Sequence, residues 1–260
     1  MTSSLFDLTG KVAIITGSSR GIGRAIAEGM AEQGAKVVIS SRKQDACEEV
    51  ASAINAQHGE GTAVAIAASI SDKAALQELV DETRRVFGKI DVLVCNAASN
   101  PYFGPMAGIT DDQFRKIMDN NVLANHWLTS MVAPEMVERG EGSIIIVSSV
   151  GGLTSSTVIG AYNISKAADL QLVRNLAAEF GPSGVRVNAI APGLVRTDFA
   201  RALWENPDIL KRVTSVAALK RIGEPRELAG AAIFLASGAS TFVTGQTLVV
   251  DGGSTFGAGF

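Results

Sequence analysis

The sequence predicts an α/β protein: a doubly wound sheet of seven parallel strands with helices on both faces, forming a single domain over residues 1–260. Three observations predict it. Short apolar, β-branched runs alternate strictly with segments of helical period, which requires crossover connections and therefore parallel pairing. The runs are almost continuously apolar, the pattern of strands buried on both faces. The chain of 260 residues, 47% hydrophobic, is long enough to bury about three quarters of its unfolded surface. No Pro/Gly/Ser spacer, charge block, low-complexity tract or fixed-period repeat divides it.

In chain order, Val12 to Thr16 is the first strand and the glycine-rich stretch after it opens a helix over Gly21 to Gln33. Lys36 to Ser40 is the second strand, followed by a helix from Gln44 to Gln57; Thr62 to Ala67 is the third, followed by a helix from Lys73 to Phe87. Val92 to Cys95 leads into a long helical pattern, Asp111 to Glu138, in which Pro134 predicts a kink rather than a stop. Ser143 to Ser148, a helix over Ala161 to Phe180, Arg186 to Ala191, a helix over Pro225 to Ala236 and Thr247 to Val250 complete the alternation.

Charge and composition exclude several functions. A net charge of −3 leaves no basic footprint for nucleic acid. Cys47 and Cys95 lack metal-ligand spacing, and His58 and His126 share no local cluster, so neither a disulfide framework nor a metal site is expected. No apolar run reaches membrane-spanning length. Met1 to Asp7 lacks the basic and apolar regions of a secretion signal, so the expected compartment is reducing and cytoplasmic.

Two motifs carry chemistry. The first is Thr16-Gly17-Ser18-Ser19-Arg20-Gly21-Ile22-Gly23, where glycines 17, 21 and 23 join a strand directly to a helix. That arrangement offers free backbone N–H groups and the positive end of a helix dipole to a pyrophosphate. Its spacing, G-x-x-x-G-x-G, differs from the usual dinucleotide fingerprint, and the other reading is a turn needed only for strand-to-helix packing. The second is Tyr162-Asn163-Ile164-Ser165-Lys166, which sets a phenol and an ammonium four residues apart on one helix face. Free tyrosine titrates near ~10. A positive charge about 4 Å away, at an effective dielectric of about 20, is worth roughly 4 kcal/mol, enough to lower that by up to about 3 units. Tyr162 would then exchange protons near neutrality.

The end of the second strand bears on cofactor choice. An acidic residue there would bond the ribose hydroxyls of NAD, but this chain reads Ile39-Ser40-Ser41-Arg42-Lys43. Arg42, with Lys43 and Arg20, would instead surround a 2′-phosphate, so NADP(H) is preferred and NAD(H) remains possible. The alternative is that Arg42 and Lys43 only solvate a loop.

Thr16 to Gly23, Asn96-Ala97, Asn121, Ser149, Tyr162 with Lys166, and Pro192-Gly193 follow one another in the order and spacing of the short-chain dehydrogenases/reductases, which the chain resembles over nearly its whole length. The resemblance implies a Rossmann-like, NAD(P)-binding fold and a catalytic set of Asn121, Ser149, Tyr162 and Lys166. Tyr162 would be the general acid and base; Lys166 would lower its pKa and hold the nicotinamide ribose. Ser149 would bond the substrate oxygen, with Ser148 as the neighbour to be distinguished from it. Asn121 would organise a water linking Lys166 to solvent, Asn120 being the weaker candidate. The cofactor would lie along Gly17, Ser19, Arg20, Gly21, Ile22 and Gly23, then Ser41 and Arg42, Ser69 and Ile70, Asn96, Ala97 and Ala98, Tyr162 and Lys166, and finally Pro192, Gly193, Val195 and Thr197. Two positions depart from the family pattern: Ala98 stands where glycine is usual, and Ser69, before Ile70, where aspartate is usual.

The same resemblance places a substrate lid at about 198–219, with Phe199, Leu203, Trp204 and Ile209 giving it an apolar and aromatic lining, and walls from Tyr102, Gly151 and Leu153. The loop from Asn96 to Gly104 and the segment from Pro192 to Trp204 look like those of NADPH-dependent carbonyl and retinal reductases of the peroxisomal subgroup. The ending Gly257-Ala258-Gly259-Phe260 lacks that subgroup's Ser-Lys-Leu address. The expected activity is NADP(H)-dependent reduction of a ketone or aldehyde on an apolar small molecule, reversible as oxidation of a secondary alcohol. A 3-oxoacyl thioester reductase is the alternative, for which Arg139, Arg174 or Arg196 would supply a basic patch. A non-enzymatic dinucleotide-binding redox sensor is the second. The family's habit implies a homotetramer, with the apolar, glycine-rich segment from Thr247 to Phe260 covered by a neighbouring subunit.

Overall fold

Seven parallel strands run in the order β3-β2-β1-β4-β5-β6-β7 in a computed structural model that describes residues 5–256. They are β1 (Val12–Thr16), β2 (Lys36–Ser40), β3 (Ala63–Ala65), β4 (Val92–Cys95), β5 (Gly142–Val147), β6 (Val185–Pro192) and β7 (Thr247–Val250). The helices are α1 (Gly21–Glu32), α2 (Gln44–His58), α3 (Lys73–Phe87), α4 (Asp111–Met118), α5 (Ala124–Arg139), α6 (Gly160–Phe180), α7 (Arg201–Trp204), α8 (Pro207–Val216) and α9 (Pro225–Ala236).

Alternation along β1 divides the core. Ala13 and Ile15 turn toward α1, α2 and α9, while Ile14 turns toward α3, α5 and α6. The register is set by pairs such as Ala13↔Val37 and Ala13↔Val92. Chain direction through the sheet reverses between β1 and β4: β2 and β3 lie to one side, β5, β6 and β7 to the other. In open α/β sheets a crevice forms beyond the carboxyl ends of the strands at such a switch point, and ligands bind there.

The structure departs from the sequence expectations in four places. The third strand is shorter, ending at Ala65 rather than Ala67. The long helix over 111–138 is interrupted at Asp119–Leu123 by a π-helical turn, in which the Ala124 N–H reaches back to the Asp119 carbonyl. Pro134 lies inside α5, which continues through it, so the irregularity falls well before the proline. The seventh strand is not buried on both faces: β7 is the sheet edge, its residues are half-buried, and Val249 is exposed. The segment expected as the lid forms α7 and α8, the latter begun by Pro207 and capped by Asn206, whose side chain accepts from the Asp208 and Ile209 N–H groups.

Candidate active site

The glycine turn is assembled from both sides of the switch point. Gly17 has φ +67°, a conformation glycine adopts without strain. Asn96, just after β4, ties this turn down: its Nδ2 donates to the Thr16 carbonyl at 2.8 Å and to the Gly17 carbonyl at 3.2 Å. Thr16 Oγ1 accepts from the Asn96 and Ala97 N–H groups at 3.0 and 3.1 Å. Ser18 Oγ donates to the Ile15 carbonyl and accepts from the Ser40 N–H, joining the turn to the end of β2. A Cβ on Gly23 would sit 2.5 Å from both Asn96 Nδ2 and the Gly17 carbonyl oxygen, so the helix starts as close to the strand as backbone contact allows. Arg20, the extended residue before α1, makes no side-chain cap. The open N–H groups of the first helical turn, beside a bare-backbone cradle, fit the pyrophosphate of a dinucleotide.

The remaining cofactor candidates border this cradle or the strand ends near it. Thr197 comes against Gly21, where a Cβ would lie 3.3 Å from Thr197 Cγ2. Pro192 ends β6, Gly193 follows it, and Val195 bridges to Gly223. Ile22 packs on the core. Ser41 contacts the Cys47 thiol at 3.2 Å, and Ser69 contacts Ser71 at 2.9 Å. Arg42 is exposed and has no ion pair among the described residues, whereas Arg20 meets Asp198 at 3.5 Å. Lys220 is the one described non-glycine residue with positive φ, so Ala98 stands in ordinary backbone and the missing glycine costs no strain there.

At the end of β5 the two serines diverge. Ser148 Oγ donates to the Lys166 carbonyl at 2.8 Å and is buried. Ser149, extended, starts a 3₁₀ turn over Val150–Gly152; its Oγ accepts from the Gly151 N–H at 3.0 Å, leaving its own proton to donate. Tyr162 lies in the first turn of α6, half-buried, with its ring 6.1 Å from that of Phe199 in the lid. Its hydroxyl has no hydrogen-bond partner among the described residues.

Lys166 is 1% exposed, and its ammonium is held by more than its helix spacing from Tyr162. Its Nζ donates to the Val147 carbonyl at 2.9 Å and to Asp169 Oδ2 at 3.0 Å, and lies 5.8 Å from the centre of the Tyr162 ring. The cause is a carboxylate one turn further along the same buried face. Burial opposes the Lys166 ammonium, but Asp169, then Tyr162 and Cys95, outweigh it and raise its pKa. Burial also raises the pKa of Asp169, against the pull of Lys166 and Asn125. Burial pushes the Cys95 thiol up, so it remains protonated.

Asn121, fully buried in the π-helical turn, is locked rather than open. Its Oδ1 accepts from the Ser99 N–H at 2.8 Å, and its Nδ2 donates to the Ser99 carbonyl and to Ser165 Oγ, both at 3.0 Å. Its main-chain carbonyl accepts from Asn125 Nδ2 at 2.6 Å, and the same Nδ2 donates to Asp169 Oδ1 at 3.0 Å. A water would therefore share that carbonyl with Asn125. Asn120 Nδ2 donates to Ser99 Oγ. Sequence reasoning missed Asp169, Asn125, Ser99 and Ser165. Asp169 had a usable signal: it falls three residues after Lys166 and seven after Tyr162, an acid at helical spacing on the face of α6 that carries them.

Of the pocket residues, Phe199 and Leu153 are exposed, Leu203 is half-buried and Gly151 lies under the Ser149 side chain. Tyr102 turns its hydroxyl onto the Pro105 carbonyl at 2.8 Å, and Trp204 donates Nε1 to the Thr197 carbonyl while the Arg196 guanidinium stacks on its ring. These two aromatics are fixed by residues close to them in the chain. The three arginines of the thioester reading do not converge. Arg139 is bound beside Asp91 and the Ile90 carbonyl at the start of β4, Arg174 to Gln171, and Arg196 to Glu224. No cluster of three metal-ligating side chains occurs among the described residues, and no helix of theirs is long and apolar enough to cross a membrane. The final residues, 257–260, lie outside the described region.

A glycine cradle at the switch point, with a half-buried tyrosine and a buried lysine beyond β5, defines a nicotinamide-dependent oxidoreductase, and the chain belongs to the short-chain dehydrogenase/reductase family. The family profile described as enoyl-(acyl carrier protein) reductase matches residues 17–255. Dehydrogenase/reductase SDR family member 4 of Bos taurus is 45% identical over 95% of this chain and 88% of its own length, and the Homo sapiens protein of that name is 42% identical with the same coverage. Among solved structures, a 7α-hydroxysteroid dehydrogenase complexed with NADH and 7-oxo glycochenodeoxycholic acid superposes with a TM-score of 0.92 at 37% identity, covering 97% of each chain. A gluconate 5-dehydrogenase from Burkholderia cenocepacia in complex with NADP and tartrate does so with a TM-score of 0.93 at 34% identity, covering 98% of this chain and 99% of that one. The protein is accordingly an NAD(P)-dependent enzyme that interconverts carbonyl and alcohol groups.

Proposed function

We propose that the enzyme is an NADP(H)-preferring reductase of ketones or aldehydes on apolar small molecules, with Tyr162 as its acid–base group. The observation that carries this reading is the Tyr162 phenol, without a hydrogen-bond partner among the described residues, whose ring has the buried Lys166 ammonium 5.8 Å away and the lid residue Phe199 6.1 Å away. The nicotinamide, when bound, supplies or accepts the hydride. Tyr162 Oη gives its proton to the carbonyl oxygen in reduction and takes one from the alcohol in oxidation. Ser149 donates to the same oxygen and stabilises the charge that gathers there. Lys166 supplies fixed positive charge beneath the phenol. Phe199 and Leu153 offer apolar surface that keeps water away and favours an apolar substituent.

Preference for NADP(H) rests on Arg42, just after β2, a guanidinium with no carboxylate partner among the described residues. Initial rates with NADPH and NADH over ketones, aldehydes, diketones and one acyl thioester test the reading. NADPH turnover of apolar carbonyls is expected, and turnover of the thioester alone would remove it. In Arg42→Ala, kcat/KM for NADPH should fall by about 10- to 100-fold, the worth of one charge-assisted phosphate contact, with NADH little changed. Equal losses with both cofactors would assign Arg42 another role.

The proposed assembly is a homotetramer in which the half-buried β7 edge and the fully exposed Phe242 are covered by a neighbouring subunit. A monomeric mass by light scattering would refute it. Two unpaired, buried cysteines suit a reducing, cytoplasmic setting.

A further inference from the structure

The buried carboxylate behind the catalytic lysine has no part in the reaction as described above, yet the protein retains it at considerable cost. Asp169, on α6, is 0% exposed and faces Asn125 of α5 and Cys95 of β4. Each oxygen has one donor: Lys166 Nζ at 3.0 Å on Oδ2 and Asn125 Nδ2 at 3.0 Å on Oδ1. A buried charge survives only when paired and hydrogen-bonded, and an ion pair between fully buried partners seldom adds net stability. An apolar residue at this place would share its helix face with Val173, four residues on, without that penalty. The pair therefore calls for a role other than stability.

Its geometry supplies one. Lys166 Nζ is held from behind by Asp169 and by the Val147 carbonyl, and stands 5.8 Å from the Tyr162 ring centre. The Asp169 charge consequently lies within about 9 Å of that ring, inside a low-dielectric interior where charges act at this range. Tyr162 thus faces a dipole, not an isolated cation.

We propose that Asp169 is a positioning residue for the Tyr162–Lys166 pair: it fixes the ammonium from behind and offsets part of its charge, so that Tyr162 gives up its proton at a higher pH than Lys166 alone would set. The inference rests on Tyr162 as the acid–base group, but its test needs no turnover. The other titratable group facing the pair is Cys95 on β4, which burial keeps neutral; Asn125 and Asn121, from α5 and the π-helical turn, carry no charge.

The chain contains two tyrosines, so in a Tyr102→Phe background tyrosinate absorbance reports Tyr162 alone. Adding Asp169→Asn, with Lys166 still held as the ammonium by the Val147 carbonyl and by the tyrosinate itself, should lower the midpoint of that titration by about one pH unit. Asp169→Glu, which restores the charge, should leave it near the parent value even where the melting temperature falls. Where Asp169→Asn does not fold, Asp169→Ser takes its place. No movement, an upward movement, or equal movement in the charged and uncharged variants would overturn the proposal. Failure of the functional reading shows elsewhere, as turnover retained by Tyr162→Phe.

Discussion

Tyr162→Phe should lower kcat/KM by about 100- to 10,000-fold, the usual contribution of a positioned acid or base, while the dissociation constant of the dinucleotide stays within a few-fold of wild type. The two halves of this expectation come from different parts of the structure. Phenylalanine keeps the ring, and with it the contact with Phe199 and the packing over Lys166. The deleted hydroxyl holds no hydrogen bond among the described residues, so its removal leaves no orphaned group and costs little stability. The cradle of Gly17, Gly21 and Gly23 lies at the end of β1 and is untouched. Steady-state rates and a fluorescence titration of NADPH separate the two effects. A variant with more than a tenth of wild-type kcat/KM would show that proton transfer passes through another group.

Gly23→Ala is expected to weaken dinucleotide binding by at least about 10-fold and to lower the melting temperature. Two effects oppose one another here. Alanine is the better helix former by about 1 kcal/mol, which alone predicts a more stable protein. The new Cβ, however, would lie 2.5 Å from the Gly17 carbonyl oxygen and 2.5 Å from Asn96 Nδ2. Backbone oxygen cannot swing away as a side chain does, and overpacking of this kind costs about 1–3 kcal/mol, so the clash wins. Relief must come from moving the turn or the Asn96 clamp, both of which shape the phosphate cradle. A raised melting temperature with unchanged cofactor affinity would mean that the turn is softer than its contacts indicate.

Much of this was legible in the sequence because it follows from local period. The order of strands and helices, the strand-glycine-helix start and the pairing of Tyr162 with Lys166 on one helix depend on neighbours in the chain. What was not legible depends on partners far apart in it. Helix spacing put the Lys166 ammonium near the phenol, but it did not show the Asp169 carboxylate and the Val147 carbonyl that hold it. Asn121 was legible as a candidate, but not the hold on its side chain by Ser99 and Ser165, which come from another loop and another helix. A proline suggested where the long helix would deviate, whereas the deviation falls at Asp119–Leu123, where Asn120 and Asn121 bond Ser99. Exposure of β7 is a matter of sheet order, which composition does not encode.

The π-helical turn at Asp119–Leu123 has a consequence for how this protein tolerates change in length. Such a turn amounts to one extra residue within an α-helix, and each helical residue rotates the chain by about 100°. Deleting a single residue from this turn would let α4 and α5 fuse into one regular helix, at little apparent cost in backbone hydrogen bonding. It would also swing Asn121 away from Ser99, or turn the buried face of α5, with Leu128 and Val132, away from the sheet. The chemistry at one end of the helix and the core at the other are thus kept in phase by a count of residues. Substitutions can vary around it, but the count itself is not free to drift.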